Sequence, residues 1–239
     1  MRKLLTFLCV MLLISGLMTA AAEEQPSFSI DPSKPMVALT FDDGPGPYLP
    51  ELLEVLRENN VHATFFVVGR YIANHPDYLQ LMLDAGCEIG AHSWAHARYT
   101  DMDCNEVQWD LERTCKKIAS VTNGYQAVWM RPPYGSKDGQ TTRGVRYAGM
   151  IGVMWTLDTR DWENRNAEKT CQNILKQVED GAVILCHETV PSTVEAMRLV
   201  LPQLIEQGYQ VLSVSELFSF QQGGAQVGKI YSAFTRAAE

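Results

Sequence analysis

Basic residues are outnumbered in this chain of 239 residues. The sequence has 20 Lys and Arg against 28 Asp and Glu, which gives a formal net charge of −8. An acidic chain is a poor candidate for binding nucleic acid, and a neutral substrate suits it better than a dense polyanion. We therefore expect no nucleic acid among its partners, and the sequence implies no protein partner.

The sequence also lacks internal repeats and low-complexity blocks, and no appended binding module is evident. Its length is sufficient for one domain with a large core. We expect a polar lead-in over 23–34, a single folded domain over 35–220 and a C-terminal tail over 221–239. The start of this tail, over 221–228, is rich in Gly and Gln and is expected to be loose.

Cysteine pairs with the Cys-x-x-Cys spacing of thiolate metal sites are absent, which argues against such a site. An oxidising compartment would allow one or two disulfides, with at least one thiol left over. Two of the cysteines lie in apolar, strand-like segments and are also compatible with simple burial. The pairing stays open among the five cysteines that follow residue 22: Cys87, Cys104, Cys115, Cys171 and Cys186.

A long apolar run occurs only at the start of the chain, over Leu4–Met18, and it is short for a membrane span. Arg2 and Lys3 precede it, and the small residues Ala20–Ala22 follow. This order is typical of a signal peptide over 1–22, so we expect a protein secreted to the extracellular space or cell wall. Cleavage would remove two basic residues and change the net charge from −8 to −10. An uncleaved N-terminal membrane anchor is the alternative.

Short apolar runs alternate with helical patterns along the rest of the chain. This alternation predicts a parallel sheet, and seven strand–helix units favour a barrel over an open sheet. The predicted strands are 36–41, 63–68, 87–91, 127–131, 151–157, 182–187 and 209–213. The predicted helices are 48–59, 77–85, 105–120, 141–148, 167–178 and 192–207.

Two adjacent carboxylates, Asp42 and Asp43, directly follow the first apolar strand. Adjacent carboxylates repel each other, and this arrangement is explained if one binds a metal while the other transfers protons beside it. The alternative is an ordinary Asp-Asp-Gly turn. Downstream, His92 and His96 are spaced to reach one metal from one face of a helical turn. Together with Asp43 they would form a catalytic metal site with open positions.

Three further clusters also follow predicted strands. Two prolines after Arg131 would stiffen a loop that fixes its guanidinium. The run Asp158–Trp162 places an aromatic ring beside acidic groups, where it can wall a pocket, although a helix N-cap would also explain it. His187 ends a buried strand, and Glu188 beside it has no assigned role. Because reactive groups of parallel barrels lie at the carboxyl ends of strands, five clusters at this edge favour a catalytic site over five unrelated features.

Together these runs resemble the five motifs of the polysaccharide deacetylases with NodB homology, carbohydrate esterase family 4. The similar segments are Thr40–Gly44, His92–His96, Arg131–Gly135, Asp158–Trp162 and Leu185–His187, which occur in the family order. The likeness continues to Leu217. It implies a distorted (β/α) barrel over 35–220 and the hydrolysis of N-acetyl groups from amino sugars in a polymer. It also implies one divalent metal ion, with Zn²⁺ the first choice and Co²⁺ the second.

The resemblance also implies a role for each motif residue. By position, Asp43, His92 and His96 would hold the metal. Asp42 would be the general base with Arg131 as its partner, and His187 would be the general acid, held by Asp161. The substrate-binding residues would be Tyr134, through its backbone N–H to the oxyanion, with Trp162 and Leu185 around the acetyl methyl group.

The polymer is not identified by these residues. N-acetylglucosamine of peptidoglycan in the cell wall is our first expectation, followed by chitin oligosaccharides, poly-N-acetylglucosamine and acetylated xylan. A hydrolase of small amides with the same fold is a further alternative. A catalytically silent sugar-binding barrel is an alternative of another class, which Asp42 and His187 argue against because binding alone requires neither.

Overall fold

The computed structural model describes residues 29–237, so the predicted signal peptide at 1–22 lies outside the described residues. The described strands are Met36–Gly44 (β1), Thr64–Val67 (β2), Glu88–Ala91 (β3), Trp129–Met130 (β4), Ile151–Val153 (β5), Leu157–Asp158 (β6), Val183–His187 (β7), Gln210–Leu212 (β8) and Ile230–Tyr231 (β9). The helices are Leu49–Glu58 (α1), Tyr78–Asp84 (α2), Cys104–Val121 (α3), Gly139–Tyr147 (α4), Asp161–Asn164 (α5), Ala167–Gln177 (α6), Pro191–Glu206 (α7) and Val214–Phe218 (α8).

The strands form one parallel sheet in the order β6-β7-β1-β2-β3-β4-β5-β9, and β8 also pairs with β1. Within the part of the chain that the structure describes, no ladder joins the two ends of this path, β6 and β9. The sheet with its helices is therefore a half-barrel, built from strand–helix units in which most strands are followed by a helix. This architecture confirms the predicted parallel α/β barrel class.

Strand β1 lies in the middle of the sheet, where it pairs with β2, β7 and β8. Its two faces pack against different partners. Val37, Leu39 and Phe41 lie in the cluster that holds the apolar residues of α1 and α7. Met36 and Ala38 point to the opposite face and pack with residues of β4, β5, β8 and α8. Since side chains alternate along a strand, the second face also receives the polar side chains at 40 and 42. Polar groups of β1 thus enter the interior of the half-barrel.

Two long-range features depart from the predicted elements. The predicted strand 151–157 is two strands, β5 and β6, because residues 154–156 leave the ladder between them and β6 pairs with β7 instead of β4. The C-terminal tail at 221–239 contains a strand, β9, that was not among the predicted strands. Strand β9 pairs with β5, and Arg236 donates to Asp180 at an Nε–Oδ2 distance of 3.2 Å. The described sheet therefore has nine strands where seven were predicted.

The five cysteines among the described residues are free thiols, so the structure shows none of the disulfides that an oxidising compartment would allow. Three of them, Cys87, Cys171 and Cys186, are buried. Burial raises the pKa of the Cys87 thiol to about 12, against a smaller opposing effect of its hydrogen bond with Ala63. These thiols therefore pack as small apolar side chains. Within residues 29–237, we find no helix with the length and apolar character that crossing a membrane requires.

Candidate active site and metal centre

The parallel register brings the sequence clusters to one edge of the sheet. Asp42 on β1 is the direct partner of His187 on β7, and the backbone N–H of Glu188 donates to the Asp42 carbonyl. On the other side, Ala91 of β3 pairs with Met130 of β4, so the residues that follow them, His92 and Arg131, are also neighbours. Consecutive strands of a parallel sheet end on the same side, which is why motifs far apart in sequence meet here.

Arg131 fills the interior of the half-barrel and is fully buried. Its Nη1 donates to Asp42 Oδ1 at 2.8 Å and to Thr40 Oγ1 at 2.7 Å, while Nε donates to the carbonyl of Val153. The guanidinium also lies over the ring of Phe66, 4.4 Å from its centroid. Because Asp42 is only 3% exposed, this cation compensates the buried carboxylate and fixes which oxygen remains available to the pocket.

Asp43, His92 and His96 form a group that could hold one metal ion, with candidate ligand atoms all within 4.8 Å of one another. The Nε2 atoms of His96 and His92 lie 3.1 and 3.5 Å from Asp43 Oδ1. This oxygen is buried and has no hydrogen-bond partner. Burial alone would raise the pKa of Asp43, but the contacts with the two imidazoles outweigh burial and lower that pKa well below its usual range.

The Nδ1 atoms of His92 and His96 each have a hydrogen-bond partner, which orients Nε2 of each ring toward the Asp43 carboxylate. His92 Nδ1 lies 2.8 Å from the Arg131 carbonyl, which can only accept, so Nδ1 is the donor. In the neutral ring Nε2 then presents its lone pair. His96 Nδ1 contacts the hydroxyl of Tyr134 at 3.0 Å. A carboxylate oxygen without a donor beside two oriented imidazoles fits a divalent cation such as zinc.

The His92–His96 segment is a loop and not the helical turn that the spacing predicted. Ser93 and His96 have φ values of 61° and 58°, in the left-handed region. The Ala97 N–H donates to Ser93 Oγ at 3.0 Å, and the Trp94 N–H donates to Asp110 Oδ1 at 2.9 Å. These side-chain acceptors satisfy backbone N–H groups that a helix would satisfy with carbonyl oxygens. The two imidazoles still meet, with ring centroids 5.0 Å apart.

Three predicted site residues have a left-handed backbone: Asp43 (φ 74°), His96 (φ 58°) and Tyr134 (φ 60°). Such conformations cost about 1 kcal/mol or more for a residue with a side chain, and they persist only where the surroundings hold them. They cluster here within one pocket.

His187 and Asp161 form a second charged pair. His187 Nδ1 donates to Asp161 Oδ1 at 2.8 Å, and the backbone N–H of His187 donates to Oδ2 at 2.7 Å. Thr193 also donates to Oδ2. Burial lowers the pKa of His187, but the hydrogen bond and charge of Asp161 outweigh it and, with Asp42 and Asp43, raise that pKa to about 9. The imidazole is therefore a cation at neutral pH.

A cavity of about 460 Å³ opens over these groups. It is lined by eight of the ten predicted site residues, Asp42, Asp43, His92, His96, Tyr134, Trp162, Leu185 and His187, and by two others, Trp155 and Asp158. The remaining two, Arg131 and Asp161, lie behind it and contact Asp42 and His187. The structure thus brings the ten residues together, and their individual roles stay predictions.

Sequence reasoning missed Trp155 and gave no role to Asp158 or Glu188. Trp155 lies in the break between β5 and β6, and no local pattern signals that break. Its ring packs close to Gly135, where an added Cβ would lie 2.9 Å from Trp155 Cη2. Asp158 could have been assigned to the pocket because it ends a strand beside the other clusters.

Residues 29–153 match the family model described as polysaccharide deacetylase. The chain is 35% identical over 196 residues to the peptidoglycan-N-acetylglucosamine deacetylase PgdA of Listeria monocytogenes, covering 82% of this chain and 41% of that relative. It is 30% identical to the chitooligosaccharide deacetylase of a Bradyrhizobium species, covering 76% of this chain and 90% of the relative. A solved structure of the T48 deacetylase with substrate superposes with a TM-score of 0.80 at 32% identity, covering 85% of this chain and 100% of that one.

The chain belongs to the polysaccharide deacetylase family, as its five motifs predicted. The relatives named above are deacetylases, which favours the hydrolysis of N-acetyl groups over the alternative of a silent sugar-binding barrel. The chain spans about two fifths of the length of the Listeria relative. The complete activity and substrate of that longer protein therefore do not transfer directly.

Proposed function

We propose that this chain is a secreted, metal-dependent deacetylase that removes the acetyl group from N-acetylglucosamine units of peptidoglycan. The observation that carries the reaction is one pocket with two carboxylate–cation pairs, Asp42–Arg131 and His187–Asp161, beside the Asp43–His92–His96 group. Hydrolysis of an amide requires a base to activate water and an acid to protonate the leaving amine. The pocket offers one group for each task.

In this proposal Asp42 accepts a proton from the attacking water, and Arg131 orients the carboxylate through its hydrogen bond to Oδ1. His187, held as a cation by Asp161, then donates its proton to the amine nitrogen as the carbon–nitrogen bond breaks, which gives acetate and a free amino sugar. The backbone N–H of Tyr134 would stabilise the oxyanion, an effect worth roughly 3 kcal/mol per donor. Trp162 and Leu185 would enclose the acetyl methyl group.

Asp43, His92 and His96 would hold the divalent ion. When bound, the ion would supply Lewis acidity that polarises the acetyl carbonyl and makes water easier to deprotonate. Zn²⁺ is the expected ion because a three-ligand set of two imidazoles and one carboxylate with open positions is typical of catalytic zinc, and Co²⁺ is the second choice.

Peptidoglycan is the proposed substrate because the Listeria relative carries that activity in its name. A chitooligosaccharide is the second candidate, supported by the Bradyrhizobium relative, of which this chain covers 90%.

Chelation should abolish acetate release from peptidoglycan, and added Zn²⁺ or Co²⁺ should restore it. The measurement is enzymatic acetate determination with peptidoglycan, chitooligosaccharide, poly-N-acetylglucosamine and acetylated xylan in parallel, and Glu195→Ala, an exposed carboxylate on α7, serves as control. Full activity in metal-free protein would contradict the metal site. Faster release from another polymer would replace peptidoglycan as the substrate without changing the reaction.

Export is the remaining part of the proposal, based on the pattern of residues 1–22. In the producing cells the mature protein should begin near Glu23 and should be found outside the cytoplasm. N-terminal sequencing of extracellular and membrane fractions tests this. Protein that still begins at Met1 in the membrane fraction would instead indicate an uncleaved anchor.

A further inference from the structure

Glu188 is a buried carboxyl group that none of the roles above uses. Its side chain follows His187 and is 1% exposed. Oε1 accepts a hydrogen bond from the Gly46 N–H at 2.5 Å, whereas Oε2 is buried without a hydrogen-bond partner. Burying a carboxyl with one oxygen unsatisfied destabilises a fold, so such a group calls for an explanation.

The Glu188 carboxyl lies against the backbone of the turn that ends β1. A Cβ placed on Gly44 would lie 1.9 Å from Glu188 Oε1 and 2.2 Å from Cδ. Gly44 is not among the residues with positive φ, so its glycine is required by the space that Glu188 occupies and not by backbone conformation. The carboxyl therefore replaces a side chain at position 44.

This turn carries Asp43. Its φ of 74° is left-handed, and the β1–β2 register shifts between Asp42 and Gly44. Glu188 contacts the turn on both sides of Asp43, because its backbone N–H donates to the Asp42 carbonyl at 3.4 Å and its side chain bonds Gly46. A strained conformation of this kind needs such external contacts to persist.

We propose that Glu188 is a positioning residue that holds the Asp43–Gly46 turn so that the Asp43 carboxylate faces His92 and His96. The inference rests on the proposed function, in that these three residues bind the metal. Its consequence is that a side chain on the loop of the general acid also sets the geometry of the metal site. Groups that orient ligands from outside typically change metal affinity by 10- to 100-fold when removed.

The first test measures Zn²⁺ affinity of the purified protein by competition with a chromogenic chelator, without substrate. Glu188→Ala should weaken Zn²⁺ binding by about 10-fold or more. Glu188→Gln retains the length and the oxygen that accepts from Gly46, so it should stay within about 3-fold of the parent. Glu195→Ala, the exposed control on α7, should leave the affinity unchanged. The Co²⁺ absorption spectrum should change in Glu188→Ala and stay parent-like in the other two variants.

The second test uses the contact with Gly44 and does not depend on Glu188→Ala alone. Gly44→Ala should displace the carboxyl and weaken Zn²⁺ binding by about 10-fold. In the double variant Gly44→Ala/Glu188→Ala, the added methyl group can occupy the space that the carboxyl leaves. The double variant should therefore bind Zn²⁺ no more weakly than the weaker-binding single variant. Strict additivity of the two losses would contradict the contact.

Parent-like Zn²⁺ affinity and Co²⁺ spectra in folded Glu188→Ala would overturn the role of Glu188 and leave the proposed function intact. If Glu188→Ala does not fold, parent-like affinity in Gly44→Ala has the same meaning. A parent protein that binds no Zn²⁺ while cleaving substrate would instead overturn the metal site itself, and the role of Glu188 with it.

Discussion

Asp42→Asn should lower kcat by about 100-fold or more and leave the metal site occupied. General-base catalysis contributes roughly 10²- to 10⁴-fold, and an amide cannot accept the proton of water. The loss should fall on kcat and on kcat/KM alike, because proton abstraction takes place only on the way to the transition state. The measurement is steady-state acetate release with metal content determined on the same sample.

Two features of the structure make this substitution interpretable. Asn retains an oxygen that can accept from Arg131 Nη1, so the buried guanidinium keeps a partner. Asp43, and not Asp42, has the short contact with His96, at 3.1 Å. Asp43→Asn is therefore the matched variant, which should lose Zn²⁺ affinity as well as activity. If Asp42→Asn loses its metal and Asp43→Asn retains it, the two roles are reversed.

The candidate site was largely predictable because its side chains follow strands that could be recognised locally. Asp42, His92 and His187 each come directly after or at the end of an apolar run, and a parallel sheet collects such positions at one edge. The strands themselves are recognisable because those buried on both faces are apolar along most of their length.

The supporting contacts were not predictable because they join residues far apart in sequence. Thr193 donates to Asp161 across 32 positions, and the Glu188 carboxyl bonds Gly46 across 142. No local pattern distinguishes these side chains from ordinary surface residues. The left-handed backbone of His96 was likewise invisible, because an i,i+4 spacing suggests a helical turn whenever the bonds that replace it are unknown.

Contacts far apart in sequence also explain why the break between β5 and β6 and the strand β9 were not predicted. The chain leaves the ladder at 154–156 although the sequence there stays mostly apolar, since β6 finds its partner in β7. Strand β9 has two residues, and it is a strand because it pairs with β5, which is distant in sequence. The β-propensity of two residues cannot predict such a pairing.

The pH dependence of the proposed reaction provides the second large effect. His187 must be protonated to donate to the leaving amine, and its pKa is raised from 6.5 to about 9. Activity should therefore persist through neutral pH and fall as the pH rises through about 9. The raised pKa also stabilises the fold: this contribution is fully present below pH 6.5 and is lost as the pH rises through about 9.

Asp161→Asn removes the charge that outweighs burial at His187. The basic limb of activity should then move down by about two pH units or more, toward or below 6.5, because burial continues to lower the pKa of the imidazole when its partner is neutral. At pH 8 the variant should lose at least about 10-fold of its activity from this shift alone. The fall in melting temperature between pH 6.5 and 9 should be smaller than in the parent.

Thr193→Val is the matched control, because it removes one hydrogen bond to Asp161 Oδ2 while the carboxylate charge beside His187 remains. Its kcat can fall, but its basic limb should stay near that of the parent. His187→Ala should abolish that limb together with most of the activity. The decisive measurement is the profile of kcat against pH for the four proteins on one N-acetylglucosamine oligomer. Among residues 29–237, Asp161 is the one carboxylate that accepts from His187 Nδ1, so its removal must change the pKa of His187. If the basic limb is nevertheless the same in Asp161→Asn and the parent, a group other than His187 protonates the amine.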